Sequence, residues 1–160
     1  MNKVNFDEMS LKILALLQES ARLSYTEIGK KVGLTTPSVI ERIKKLEDSG
    51  VIENYTVNIN AEKLGYTITA VMLVSFTGTF KQQEKNIIES LSKYYQVAEC
   101  LRITGKNDFL IKIHVRSMDE FKIINDEVAQ YGQVDTSLVV TTFEKNTSIN
   151  LKKMLGQLKQ

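Results

Sequence analysis

The 160 residues are 42% hydrophobic and 25% charged, with a net charge of +2; this is a globular balance, enough for one ordinary domain or two small ones. No uncharged apolar run approaches the roughly 18 residues of a membrane helix, and the opening MNKVNFDEMS is too acidic and polar for a secretory signal. The single cysteine, Cys100, excludes an intramolecular disulfide and fits a reducing cytoplasm. Residues 1–60 hold 8 basic and 8 acidic side chains and the remainder 13 and 11, so any nucleic-acid contact must rest on local placement of charge.

Helical periods come first. Met9, Ile13, Leu14 and Leu17 form the stripe of a helix opened by Asn5 or Asp7. Ser24 to Glu27, SYTE, is a capping box, in which hydroxyl and carboxylate each satisfy an orphan N–H. The short helix it opens ends at Gly33, a residue suited to a left-handed cap. Thr35 or Thr36 caps a third helix, with Pro37 in its first turn, and that helix stops at Asp48 to Gly50.

From Val51 the period changes. VIENYTVNI reads as a strand, with Ile52–Asn58 its body, and NAEKLGY as a linker. Ile68, Ala70, Met72, Val74 and Phe76 alternate along a strand. Ile87, Ile88, Leu91 and Tyr95 mark a helix. Strands follow at Val97–Thr104 and Phe109–Val115, joined by GKND, Gly105 to Asp108. A second capping box, Ser117 to Glu120, opens a helix with Phe121, Ile124 and Val128 inward. Val134–Phe143 is the last strand, and Leu151, Met154, Leu155 and Leu158 make a short amphipathic tail. The fold class is α+β: a three-helix, winged-helix-like helix-turn-helix, then a βαββαβ ferredoxin-like domain. The expected division is 1–50 for the helical domain, 51–66 for linker strand and hinge, 67–145 for the second domain and 146–160 for the tail.

Two helices joined by a short glycine-containing turn form a helix-turn-helix, whose second helix enters the major groove by its N-terminal part. On that helix Val39, Ile43 and Leu46 face the bundle. The other face shows Ser38, Glu41, Arg42 and Lys45, with Thr36 and Pro37 at the tip. Arg and Lys suit phosphate or guanine, hydroxyls suit base edges or phosphate, and Glu41 can accept from cytosine. The same pattern also fits a plain three-helix bundle with a solvated charged face. Elsewhere, His114 alternates with Lys112 and Arg116 without partners at ligand spacing, so no metal site is expected. Cys100 has no activating neighbour in sequence.

Leu11 to Tyr66 resembles the DNA-binding half of the Lrp/AsnC, or feast/famine, transcription regulators. The residues that carry the likeness are Arg22-Leu23-Ser24, Val32-Gly33-Leu34, Leu46-Glu47, Gly50-Val51-Ile52, Tyr55 and Leu64-Gly65, in the family's order. Gly105 and Asp108 fill the family's G-x-x-D loop between the second and third strands of its effector domain. Departures are Ser10 for a usual acidic residue, Glu41 where many relatives carry a second basic residue, and no proline in Tyr131 to Val134.

The resemblance implies a sequence-specific DNA-binding regulator in the cytoplasm, modulated by a small effector such as an amino acid, with no cofactor and no enzymatic activity. It implies a homodimer built from Ile52–Asn58 and the effector sheets, with dimers associating further, as in an octamer. It places the effector at Gly105, Lys106, Asn107 and Asp108: the Asp108 carboxylate takes an ammonium and loop N–H groups take a carboxylate. Thr136 and Ser137 of a neighbouring dimer close the site. The competing reading is a ligand-binding interaction module without DNA affinity, favoured by the balanced charge of residues 1–60. An enzyme lacks any nucleophile–base pair.

Overall fold

The computed structural model describes residues 7–76, 80–142 and 149–157. In chain order the elements are α1 (Glu8–Glu19), α2 (Tyr25–Val32), α3 (Thr36–Asp48), β1 (Ile68–Phe76), α4 (Phe80–Leu91), β2 (Val97–Arg102), β3 (Phe109–Val115), α5 (Met118–Ala129), β4 (Gly132–Leu138) and α6 (Leu151–Gln157), with a 3-10 turn at Glu62–Leu64. Two compact units result: residues 1–58 with 144–160, and residues 59–143.

In the helical unit each of the first three helices is started by a side chain. Asp7 caps α1 by accepting from the Ser10 N–H at 2.9 Å; Asn5 lies outside the described residues. Both arms of the Ser24–Glu27 box are closed, at 3.2 and 2.8 Å, and Gly33 ends α2 at φ 74°. Thr35, not Thr36, caps α3, and Pro37 follows inside its first turn, where no N–H is missed. Ile13, Ile28, Val32, Val39 and Ile43 close the core. Gly29 is required by packing: a Cβ there would stand 2.6 Å from the Leu34 carbonyl oxygen of the turn.

The tail helix α6 belongs to this unit. The Gln18 side-chain amide donates to the Ile149 carbonyl at 2.8 Å and accepts from the Leu151 N–H at 3.1 Å. Lys152 pairs with Glu19 at 2.7 Å, while Met154 and Leu155 are half-buried. Leu158 lies outside the described residues. The strand expected at Ile52–Asn58 is not formed: residues 51–60 are neither helix nor strand, and Tyr55, Val57 and Ile59 stand exposed. A strand needs a ladder partner for its N–H and C=O groups, and the described residues supply none there.

The second unit is one antiparallel sheet in the order β2-β3-β1-β4. Ala70, Met72 and Val74 of β1 and Phe109, Ile111, Ile113 and Val115 of β3 turn one face toward Ile87 and Leu91 of α4 and Ile124 and Val128 of α5. Alternation sends Val71, Leu73 and Leu110 to the opposite, partly open face. Phe121 is only partly buried, packing beside that core. Two strands are shorter than expected. β2 stops at Arg102, opposite Phe109, where the loop to β3 begins. β4 ends at Leu138 because β1, its partner, starts near by, and Phe143 lies outside the described residues. Tyr95 falls beyond α4 and Ile88 is half exposed, since it sits about 100° around the helix from buried Ile87. Gly132 opens β4 where a Cβ would meet the Ser75 oxygen at 2.2 Å.

Candidate functional site

The first candidate surface is the outer side of α3. The Thr35 hydroxyl accepts from the Ser38 N–H at 3.4 Å, which holds the tip in helical form. Thr36 lies beside α2, its hydroxyl 3.4 Å from that of Thr26, and Pro37 is exposed. Glu41 and Lys45 pair at 2.7 Å across one turn with side chains 68% and 73% exposed. That ammonium holds the Glu41 carboxyl below the usual range. Lys44, exposed on the same outer side, was missed by the sequence reading. At about 100° per residue it sits about 60° from Glu41, so helix arithmetic would have found it.

Arg42 is not where the sequence put it. Its guanidinium leaves the outer face and grips Asp7, with Nη1 at 2.7 and 2.5 Å from the two carboxylate oxygens and 3.2 Å from the Ser10 hydroxyl. Its side chain is 28% exposed. One hundred degrees per residue places Arg42 nearer Val39 and Leu46 than Glu41, at the border of the packed face.

The second candidate is the turn from β2 to β3. Gly105 adopts φ 120°, a conformation that L side chains rarely take. The Ser75 hydroxyl reaches the Lys106 carbonyl at 3.0 Å and the Asn107 side-chain oxygen at 2.8 Å. Asp108 is tied to β1 twice: its N–H donates to the Val74 carbonyl at 2.7 Å, and its carboxylate accepts from the Phe76 N–H at 2.8 Å. The loop is thus a cap on the end of the central strand, with half of the Asp108 carboxylate committed to it.

Thr136 and Ser137 do not point the same way. Register puts Thr136 opposite Met72, on the helix-covered face, where its hydroxyl donates to Asn125 at 3.2 Å. Ser137 lies opposite Val71 on the open face. The two hydroxyls point to opposite faces of the sheet, as the two-residue period requires.

His114 shares a hydrogen bond of 2.9 Å with the Thr69 hydroxyl, and burial together with nearby Lys112 holds its ring below the usual histidine value. Desolvation pushes the Cys100 thiol up, away from the thiolate. Among the described residues no three metal-ligating side chains converge, and no helix is long and apolar enough to cross a membrane.

A three-helix unit with a capped second motif helix, followed by a separate split βαβ unit, defines a one-component regulator: a helix-turn-helix for DNA joined to a ligand-binding domain. Comparison with known proteins agrees over both halves. The AsnC-type helix-turn-helix domain profile matches residues 6–47, and the Lrp/AsnC ligand binding domain profile matches residues 69–149. The chain belongs to the Lrp/AsnC family of transcription regulators. It is 31% identical over 155 residues to the transcriptional regulator AzlB of Bacillus subtilis, covering 94% of this chain and 99% of that protein. Among solved structures, LrpC of B. subtilis superposes with a TM-score of 0.81 at 25% identity, over 89% of this chain and all of LrpC. The regulator NMB0573 of Neisseria meningitidis, solved as its complex with L-Met, superposes at 0.84 and 25% identity, over 94% of this chain and 99% of that one.

Proposed function

We propose that this regulator reads double-stranded DNA through the tip and outer side of α3, with Thr36, Pro37, Ser38, Glu41 and Lys45 in the groove and Lys44 beside them. The observation that carries the reading is the side-chain-capped start of α3, presented behind α2 with its outer charges exposed. Electrophoretic shift of a duplex selected by the protein from a random library tests it. Lys45→Ala is expected to weaken binding by roughly 1–3 kcal/mol if it reads a base. No selected sequence would favour the interaction module, whose support is the balanced charge of residues 1–60.

The working unit in this reading is a homodimer in the cytoplasm, with dimers associating further, and it has no enzymatic role. Exposed apolar side chains at Val57 (77%) and Ile59 (63%), and the open sheet face at Val71, Leu73, Leu101 and Leu110, support burial against a second copy. A monomer by light scattering at micromolar concentration overturns this.

The effector is an amino acid at the Gly105–Asp108 loop, a reading supported by the L-Met complex of NMB0573. Asp108 accepts from the ammonium with the oxygen not given to Phe76, and N–H groups at Gly105, Lys106 and Asn107 meet the carboxylate. Ser137, on the open face, is the better placed of the two β4 candidates to meet it from a neighbouring copy. Asp108→Asn keeps an oxygen for the Phe76 N–H while removing the charge. Calorimetry with the twenty amino acids is expected to show one whose binding that variant abolishes; unchanged affinity moves the pocket elsewhere.

A further inference from the structure

We propose that Arg42 is a positioning residue of the recognition helix: clasped between the Asp7 carboxylate and the Ser10 hydroxyl, it pins α3 to the start of α1 and sets how the reading tip is presented. The inference rests on the DNA-binding reading above.

The geometry favours this role over contact with DNA in three ways. Both Asp7 oxygens and the Ser10 hydroxyl lie within 3.2 Å of one guanidinium nitrogen, across 35 and 32 residues of sequence. The same carboxylate caps α1 through the Ser10 N–H, so one group fixes the helix start and the cross-link together. Finally, the Arg42 side chain is 28% exposed while that of Lys45, three residues further along the helix, is 73% exposed. These contacts also hold the Asp7 carboxyl at about 2, with Arg42 the largest cause.

An isolated surface ion pair does little. This one engages both carboxylate oxygens and a hydroxyl, with the Arg42 side chain 28% and that of Asp7 53% exposed, and it links two elements that must keep a fixed angle for side chains to meet base edges. A DNA-reading Arg42 would have to abandon Asp7, leaving that carboxylate its Ser10 N–H but no cation.

The two roles predict opposite signs for one substitution. Using the full-length chain and its library-selected duplex, Asp7→Asn and Arg42→Gln are each expected to weaken binding about tenfold, equivalent to about 1.4 kcal/mol. The double variant is expected to be no weaker than either single one, as for two members of a single contact. The slope of log affinity against log salt should stay that of the wild type, because no phosphate contact is lost. Should Arg42→Gln fail to fold by circular dichroism, Arg42→Lys takes its place under the same slope criterion. Asp7→Asn binding as tightly as wild type or tighter overturns the proposal, as does a slope reduced by about one or a base position relaxed in Arg42→Gln. A wild-type chain that selects no duplex overturns the DNA reading itself and the proposal with it.

Discussion

The helical unit and the sheet unit are held in different ways. In the sheet unit eleven buried apolar residues form the described core; in the helical unit seven are buried. The helical unit compensates with polar cross-links between elements: Asp7 to Arg42, Gln18 to the segment before α6, and Glu19 to Lys152. Three short helices enclose little volume, so directional contacts must settle their relative angles. The sheet unit carries cross-links too, from Ser90 to Glu127 and from Thr136 to Asn125, but there the ladder already fixes the strands.

The sharpest way to break that comparison is core truncation. Ile111→Ala and Ile28→Ala both remove side chains of 0% exposure, and each should cost about 2–5 kcal/mol. Ile111, with rigid sheet around it, is expected near the upper end and Ile28, where helices can shift, near the lower. Urea denaturation that ranks them the other way would refute the contrast.

Next in size is Gly29→Ala. Overpacking against the Leu34 carbonyl is expected to cost about 1–3 kcal/mol. The better helix propensity of alanine returns up to about 1 kcal/mol. A lowered melting temperature is the expected net result, and a raised one means that the turn yields more easily than a 2.6 Å approach allows.

Caps should not distinguish the units. Ser24→Ala in α2 and Ser117→Ala in α5 each remove an N-cap oxygen and should each cost about 1 kcal/mol by thermal melts. A much larger loss at Ser24 would show the helical unit to be the more marginal of the two.

The smallest effect is acid sensitivity. Asp7 is held at about 2 in the folded chain against an ordinary 3.8. Its contribution is therefore present above about pH 4 and lost as pH falls from there toward 2. Arg42 and the Ser10 groups are what face it. The urea midpoint of the wild type should fall over that window more steeply than that of Asp7→Asn. Identical profiles would remove the ion pair from the stability of the unit.

Much of the fold was readable because its signals are local. The Phe109–Val115 strand matches its alternation residue for residue, and the Ser24–Glu27 box opens α2; at Ser117–Glu120 only the hydroxyl arm closes, because the Glu120 carboxylate accepts from the Arg116 N–H instead. The motifs that identify the family sit in these same local patterns. The opposite facing of Thr136 and Ser137 was also readable, since a strand alternates whatever its partner.

The remainder depended on groups far apart in the chain. Nothing in the sequence near Arg42 names Asp7, 35 residues earlier, as its partner, and only folding brings α1's cap against α3. Asp108 looked like a free acceptor, yet it closes the end of β1: the register with β3 ends at Val74, and the Asp108 carboxylate takes the Phe76 N–H, 32 residues away. The tail had the period of a helix but no address until α1 supplied Gln18 and Glu19. Segment 51–58 had the composition of a strand without a ladder partner among the described residues. Composition and period follow from each residue's own neighbours, so sequence determined which elements form. Which charge meets which, and which backbone group is left to be capped, is a property of packed surfaces, and tertiary structure decided it.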